Sequence, residues 1–118
     1  MTEADSRIRW ITSIVCNEHN IEEKLLFSDR RSSSVAAARH LTFYLIYTLT
    51  SYSVRYIAKT FKKDTTTVLY GFKKIERTSK YNPVLKRKLA RLKEKIESGA
   101  DQSVLMKKNK SEIDTRAS

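Results

Sequence analysis

The chain has 118 residues, enough for one domain with a hydrophobic core and too few for two. Hydrophobic residues make up 40% of it, which argues against wholesale disorder, and two glycines with one proline argue against a sheet with many tight turns. The net charge of +11 favours a polyanion-binding protein, and no stretch approaches the ~20 apolar residues of a membrane-spanning helix.

The basic charge is placed unevenly along the chain. Residues 1–27 carry three basic and five acidic side chains, residues 28–80 carry eleven and three, and residues 81–118 carry ten and five. The single cysteine, Cys16, excludes an internal disulfide and a multi-cysteine metal site, and its apolar surroundings predict a buried residue. No signal peptide is recognisable at residues 1–7, so the cytoplasm is the expected location.

Three helices are predicted in the first half of the chain. Apolar residues at helical spacing indicate a helix over 5–18 and a short second helix around 21–26. Serines at 32–34 offer an N-cap for a third helix over 35–49, because a hydroxyl can accept from an unpaired first-turn N–H. The third helix is apolar on almost every side, which predicts that it is the central helix of a bundle.

Three more helices are predicted in the second half. Ser53 can cap a short helix ending at Phe61, and Asp64 can cap a helix over 65–79. Asn82 followed by Pro83 is typical of a helix start.

The last helix is expected to end at Ser98, before Gly99. Residues 1–99 would then form one domain and residues 100–118 a disordered polar tail. The last helix carries an apolar stripe formed by Leu85, Leu89, Leu92 and Ile96. This stripe either covers the core or forms a coiled-coil seam with a partner helix.

The segment over 53–74 has the anatomy of a helix-turn-helix. Ala58 is small enough for two helices to cross, and Val68 anchors the second helix ten residues later, after a short polar turn. In such a unit the start of the second helix meets base edges, and the first helix crosses the backbone. The alternative is an ordinary helical hairpin with a capped turn.

A second basic element precedes the central helix. Arg30 and Arg31 are followed by serines, in the loop before the third helix. This loop is either a solvated connection with a serine cap or a mobile arm that contacts DNA. An arm of this kind can place an arginine in a narrow minor groove, where the negative potential is enhanced.

Residues from about 11 to 79 resemble the C-terminal DNA-binding domain (domain IV) of the bacterial chromosomal replication initiator DnaA. The resemblance lies in the stretches IEEKLLFSDRRSSSVAAARHL, LTSYSVRYIAKTF and KKDTTTVLYGFKKIE, which stand in the family's order and near its spacing. The resemblance implies an all-α, compact bundle of about six helices containing a helix-turn-helix, of the Trp-repressor-like kind. It also implies binding to double-stranded DNA at nine-base-pair DnaA-box-like sites.

The resemblance further implies roles for individual residues. Arg31 matches the family's minor-groove arginine, Arg39 a phosphate-contacting helix arginine, and Arg55 a position near the backbone. Asp64, Thr66 and Thr67 match residues that read the major groove. The full expected DNA-binding set is Arg30, Arg31, Ser32, Arg39, Arg55, Lys62, Lys63, Asp64, Thr65, Thr66 and Thr67.

The chain also departs from the family's pattern. The family's recognition segment reads Gly-Gly-Arg-Asp-His-Thr-Thr-Val, and the segment here is one residue shorter, as in small stand-alone relatives of the domain. Thr65 replaces the usual histidine, and Lys62 and Lys63 replace glycines. Ala37-Ala38 and Ser33 replace residues that are often Arg-Pro and arginine. We therefore expect the preferred site to differ from the standard box.

No enzyme, cofactor or metal site is predicted. A phosphate-cradling loop needs two glycines five residues apart, which Gly71 and Gly99 do not supply. His19 and His40 lie in different elements, without obvious carboxylate or cysteine partners. They are therefore predicted to be surface or packing histidines and not a catalytic base or a metal ligand.

The expected function is that of a stand-alone regulator of replication initiation or transcription, acting on boxes or on the initiator itself. A monomer is favoured over an oligomer. The alternative is a protein–protein adaptor, or a modulator of the initiator, acting through the leucine-striped last helix.

Overall fold

The computed structural model describes residues 3–29 and 32–98, with side chains from residue 6 onward. Within these residues there is no strand, and the helices are α1 (Glu3–His19), α2 (Glu23–Leu26), α3 (Ser33–Leu49), α4 (Val54–Phe61), α5 (Thr65–Tyr81) and α6 (Pro83–Ser98). The predicted all-α architecture of about six helices is confirmed. Gly99 and the predicted tail lie outside the described residues.

Side-chain caps set the starts of α3, α4 and α6. The Ser32 hydroxyl accepts from the Val35 N–H at 3.4 Å, so α3 begins at Ser33, two residues before the predicted start. The Ser53 hydroxyl accepts from the Tyr56 N–H at 3.1 Å. Each hydroxyl satisfies a first-turn donor that the helix itself leaves unpaired.

A single residue joins α5 to α6. Asn82 ends α5, and its Oδ1 accepts from the N–H groups of Val84 and Leu85 at 3.0 and 3.1 Å. The predicted Asn–Pro start of α6 is confirmed, whereas α5 continues to Tyr81, two residues beyond its predicted end.

Helix α3 forms the centre of the bundle and packs against α1, α2, α4 and α5. Phe43, Leu45 and Ile46 are fully buried on it, as the apolar sequence of this segment predicts. The buried Thr42 hydroxyl donates to the Ala38 carbonyl at 2.8 Å, so its polar group is satisfied within the helix.

The leucine stripe of α6 packs inward against α1 and α5. Leu89, Leu92 and Ile96 are buried and Leu85 is half-buried, so the stripe is part of this chain's own core and not an exposed coiled-coil seam.

Polar contacts reinforce the packing of α6 on α1. The Trp10 Nε1–H donates to the Ile96 carbonyl at 3.1 Å, and Arg91 forms an ion pair with Glu18. The Lys88 Nζ lies 3.1 Å from His19 Nε2.

Cys16 is buried in the hydrophobic core, as predicted. Burial, with a smaller contribution from Glu23, raises the pKa of its thiol to about 11. None of the helices among the described residues combines the length and apolar character needed to cross a bilayer.

Candidate nucleic-acid interface

Helices α4 and α5 form a helix-turn-helix whose packing residues are buried. Ile57, Ala58, Phe61 and Val68, the anchors predicted from the sequence, are all buried. Between the helices, Lys62 adopts the left-handed conformation (φ 57°, ψ 46°), a geometry that ends a helix and reverses the chain. The turn is therefore tight, and it fixes the start of α5 relative to α4.

The first turn of α5 is open to solvent. Asp64, Thr65, Thr66 and Thr67 are all exposed, and no side-chain hydrogen bond within the described part of the chain involves them. Asp64 occupies the N-cap position, as predicted, but its carboxylate does not cap the helix. Its acceptor capacity is therefore available to a ligand.

The exposed face of α5 continues beyond the residues singled out in the sequence. Tyr70, Lys73 and Arg77 follow Thr66 at spacings of four, three and four, so they lie on one outward face. Lys74 lies beside them, with its Nζ 5.8 Å from the centre of the Tyr70 ring. Sequence reasoning missed these residues, although the helical period counted outward from Thr66 would have identified them.

Helix α5 packs very closely on α3 beneath this face. A Cβ at Gly71 would lie 2.6 Å from His40 Cδ2 and 3.1 Å from Phe43 Cδ2. The His40 ring also meets the Tyr70 ring edge-on, with centroids 5.7 Å apart. Burial, followed by Lys74 and Arg39, lowers the pKa of His40, so this histidine packs between the two helices as a neutral group.

An open groove of about 580 Å³ lies beside Asp29, at the described start of the α2–α3 loop, and the turn of the helix-turn-helix. The described start of the α2–α3 loop and the turn of the helix-turn-helix therefore border the same depression. Arg30 and Arg31, which were predicted to form the arm, lie outside the described residues. The groove is lined by Asp29, Arg39, Lys62, Lys63, Asp64 and Thr67.

Arg39 lies at the inner wall of this groove and is largely engaged by the protein itself. Its side chain donates to the carbonyls of Leu26 (2.9 Å), Leu25 (3.0 Å) and Ser28 (3.0 Å), and the residue is 8% exposed. Burial lowers the pKa of Arg39, and Asp29 opposes that shift. Arg39 thus stabilises the end of α2 and the loop after it, a role that the sequence did not indicate.

The other predicted phosphate contacts divide into two groups. Arg55 and Lys62 are exposed, and so is Lys59, which was not among the predicted contacts. Lys63 turns inward, with its Nζ 2.6 Å from the Ser28 carbonyl and 3.2 Å from Asp29 Oδ1. Ser32, also predicted as a DNA contact, is exposed and caps α3.

No group of three histidine, cysteine or acidic side chains is arranged to hold a metal ion in the described segments. The surface around the groove instead combines cations with threonine hydroxyl and methyl groups and a carboxylate. Such groups can contact phosphates and the edges of bases.

Residues 8–75 match the family model described as the bacterial DnaA protein helix-turn-helix. Chromosomal replication initiator proteins DnaA are 33% identical over 89 residues in a Thermoanaerobacter species, 34% over 87 residues in Campylobacter jejuni subsp. doylei and 35% over 91 residues in Gloeobacter violaceus. These alignments cover 73–76% of this chain and 20–21% of the relatives, so the chain spans about a fifth of their length.

Proposed function

Because this chain belongs to the family of bacterial DnaA helix-turn-helix domains, we propose that it binds double-stranded DNA at specific sites resembling the DnaA box. The observation that carries the proposal is the exposure of Asp64 and Thr65 to Thr67 at the start of α5, in a helix-turn-helix whose anchor residues are buried.

The exposed groups suit the edges of bases in the major groove. A carboxylate such as that of Asp64 can accept from a cytosine amino group, and a threonine methyl can pack against a thymine methyl. Because the Asp64 carboxylate is not used as a helix cap, DNA binding would break no hydrogen bond that holds α5 in place.

Exposed cations on both sides of this turn would contact phosphates. Arg55 and Lys62 lie before it, and Lys73 and Arg77 follow along the outward face of α5. Phosphate contacts of this kind position a protein on the duplex, whereas base contacts specify the sequence. Arg30 and Arg31 are proposed to add a contact to the DNA minor groove from the α2–α3 loop, whose Asp29 lines the open groove of the protein.

The proposed role in the cell is regulation of replication initiation or of transcription, by competing for boxes or sharing them with the initiator. The chain would act by binding alone, with no catalytic step, cofactor or metal assigned to it. Duplex DNA is the proposed partner, and contact with the initiator is a further outcome that co-purification would test.

Selection from a duplex library with the full chain tests the proposal directly. We expect a site that matches a nine-base-pair DnaA box except at the one or two positions facing Thr65. Genome-wide binding-site mapping would then show whether the occupied loci are origins or promoters. Equal affinity for all duplexes, or preference for single strands, would contradict the proposal.

A further inference from the structure

Two cations from different parts of the chain converge on the backbone carbonyl of Ser28. The Lys63 Nζ donates to this oxygen at 2.6 Å, and Arg39 Nη2 donates to it at 3.0 Å. Ser28 directly follows the turn that ends α2, and Lys63 lies 35 residues later, in the turn before α5. This oxygen is therefore a junction between the loop and the helix-turn-helix.

The bond to the carbonyl, and not the ion pair with Asp29, is the principal anchor. The Lys63 side chain is 13% exposed, whereas the Asp29 side chain is fully exposed. An ion pair with an exposed carboxylate is screened and contributes little, whereas a charge-assisted hydrogen bond away from water is stronger.

We propose that Lys63 is a positioning residue that ties the α2–α3 loop to the turn of the helix-turn-helix, and that it does not contact DNA phosphate. The inference rests on the proposed DNA-binding function. It assigns a role to one of the two lysines at positions where the family resemblance predicts glycines. The tether holds Ser28 and Asp29, at the described start of this loop, beside the turn that precedes α5.

This arrangement matters because two contacts made from one rigid surface need less ordering on binding than contacts made by independent segments. A loop held before binding can approach one groove while α5 enters the next. Releasing the loop would weaken binding to the specific site although no group that touches DNA has been removed.

Lys62 provides a matched control, since it is adjacent to Lys63, carries the same charge and is exposed. The first experiment uses the free full-length chain and an arginine-specific protease, with cleavage after Arg30 or Arg31 measured by mass spectrometry. We expect Lys63→Met to accelerate this cleavage several-fold, while cleavage after Arg77 stays near that of the original chain. The free energy of unfolding in urea should fall by no more than the loss of one charge-assisted hydrogen bond predicts, so the fold is retained. Lys62→Met should leave the loop cleavage unchanged.

The second experiment measures affinity for the duplex selected from the library and for an unrelated duplex, as a function of salt. Lys63→Met should weaken specific binding about tenfold, roughly the loss of one charge-assisted hydrogen bond, with an unchanged salt slope. Lys62→Met should weaken binding to both duplexes and reduce the slope by about 0.9, as the loss of one phosphate contact does. Lys63→Arg should restore specific binding and slow cleavage, because a guanidinium can donate to the same carbonyl.

Two outcomes would overturn the inference. A reduction of the salt slope in Lys63→Met equal to that in Lys62→Met would make Lys63 a phosphate contact. Unchanged loop cleavage in Lys63→Met would mean that the bond to Ser28 holds nothing in place. If the chain binds no duplex at all, the proposed function fails, while the cleavage contrast between the two lysine variants still tests the tether.

Discussion

Thr65 is the residue at which the exposed turn of α5 departs most clearly from the DnaA family pattern. Histidine there offers a flat ring and a ring nitrogen, whereas threonine offers one methyl and one hydroxyl. We expect Thr65→His to restore preference for the standard box by about 1 kcal/mol or more, within the usual range for one base pair.

A competition assay of both proteins against a library randomised at every box position measures this preference. Thermal stability serves as the control and should barely change, because Thr65 is exposed. Indistinguishable preference profiles would show that residue 65 does not face the bases.

Lys62 carries a conformational cost that glycine would remove. Its φ of 57° lies in the left-handed region, where a side chain costs roughly 1 kcal/mol and glycine almost nothing. We expect Lys62→Gly to be more stable than Lys62→Ala by about 1 kcal/mol in urea unfolding. Both variants lose the same cation, so their DNA affinities should agree. Equal stabilities would contradict the strained turn.

His40 should make stability depend on pH. Its pKa is lowered in the folded state, chiefly by burial, so the unfolded chain binds more protons in weak acid. The free energy of unfolding should therefore fall as the pH drops through about 6.5, the ordinary histidine pKa. Comparing the chain with His40→Gln at pH 7.5 and 5.5 checks this, since the variant should lose part of the decrease. An identical decrease in both proteins would assign it to other groups.

At the scale of helices, local chemistry made the starts of α4, α5 and α6 predictable. The side-chain oxygens of Ser53 and Asn82 accept hydrogen bonds from backbone N–H groups two or three residues later. Such short-range preferences are visible in any sequence. The buried face of α5, with Val68 and Ile75, follows equally from helical periodicity.

The roles of Arg39 and Lys63 could not be predicted in the same way. Their partners lie 11 to 35 residues away, and the three-dimensional path of the α2–α3 loop decides whether a cation meets a carbonyl or a phosphate. Asp64 shows the same limit on a smaller scale: its position at the helix start was predictable, whereas the absence of a capping bond was not.

The contact between α3 and α5 is close enough for one methyl group to disturb it. We expect Gly71→Ala to destabilise the fold by about 1–2 kcal/mol, because the added Cβ meets the rings of His40 and Phe43. The better helix propensity of alanine offsets only part of this.

Urea unfolding of the single and double variants measures the effect. In a His40→Ala background the penalty should shrink, since the nearest ring is gone. A penalty of the same size in both backgrounds would show that the His40 ring does not limit the approach of α5.

At the scale of the whole molecule, charge placement should govern affinity. If the cations proposed to contact the duplex neutralise about five or six phosphates, log K should fall with log salt at a slope of roughly −5. Fluorescence anisotropy with a labelled duplex between 50 and 200 mM salt, roughly the range in which such contacts dominate, measures the slope. A value near −1 would contradict the proposed docking surface.

The hydrogen bond between Trp10 and the Ile96 carbonyl makes the only indole of the chain an optical reporter. This bond joins α1 to α6. The fluorescence emission of Trp10 should therefore shift to the red when α6 separates from α1, before or together with loss of the helix-turn-helix. DNA that engages only α5 and the α2–α3 loop should leave the emission spectrum unchanged. The chain therefore carries, without any added label, a spectroscopic means of telling a ligand that occupies the surface from one that loosens the bundle.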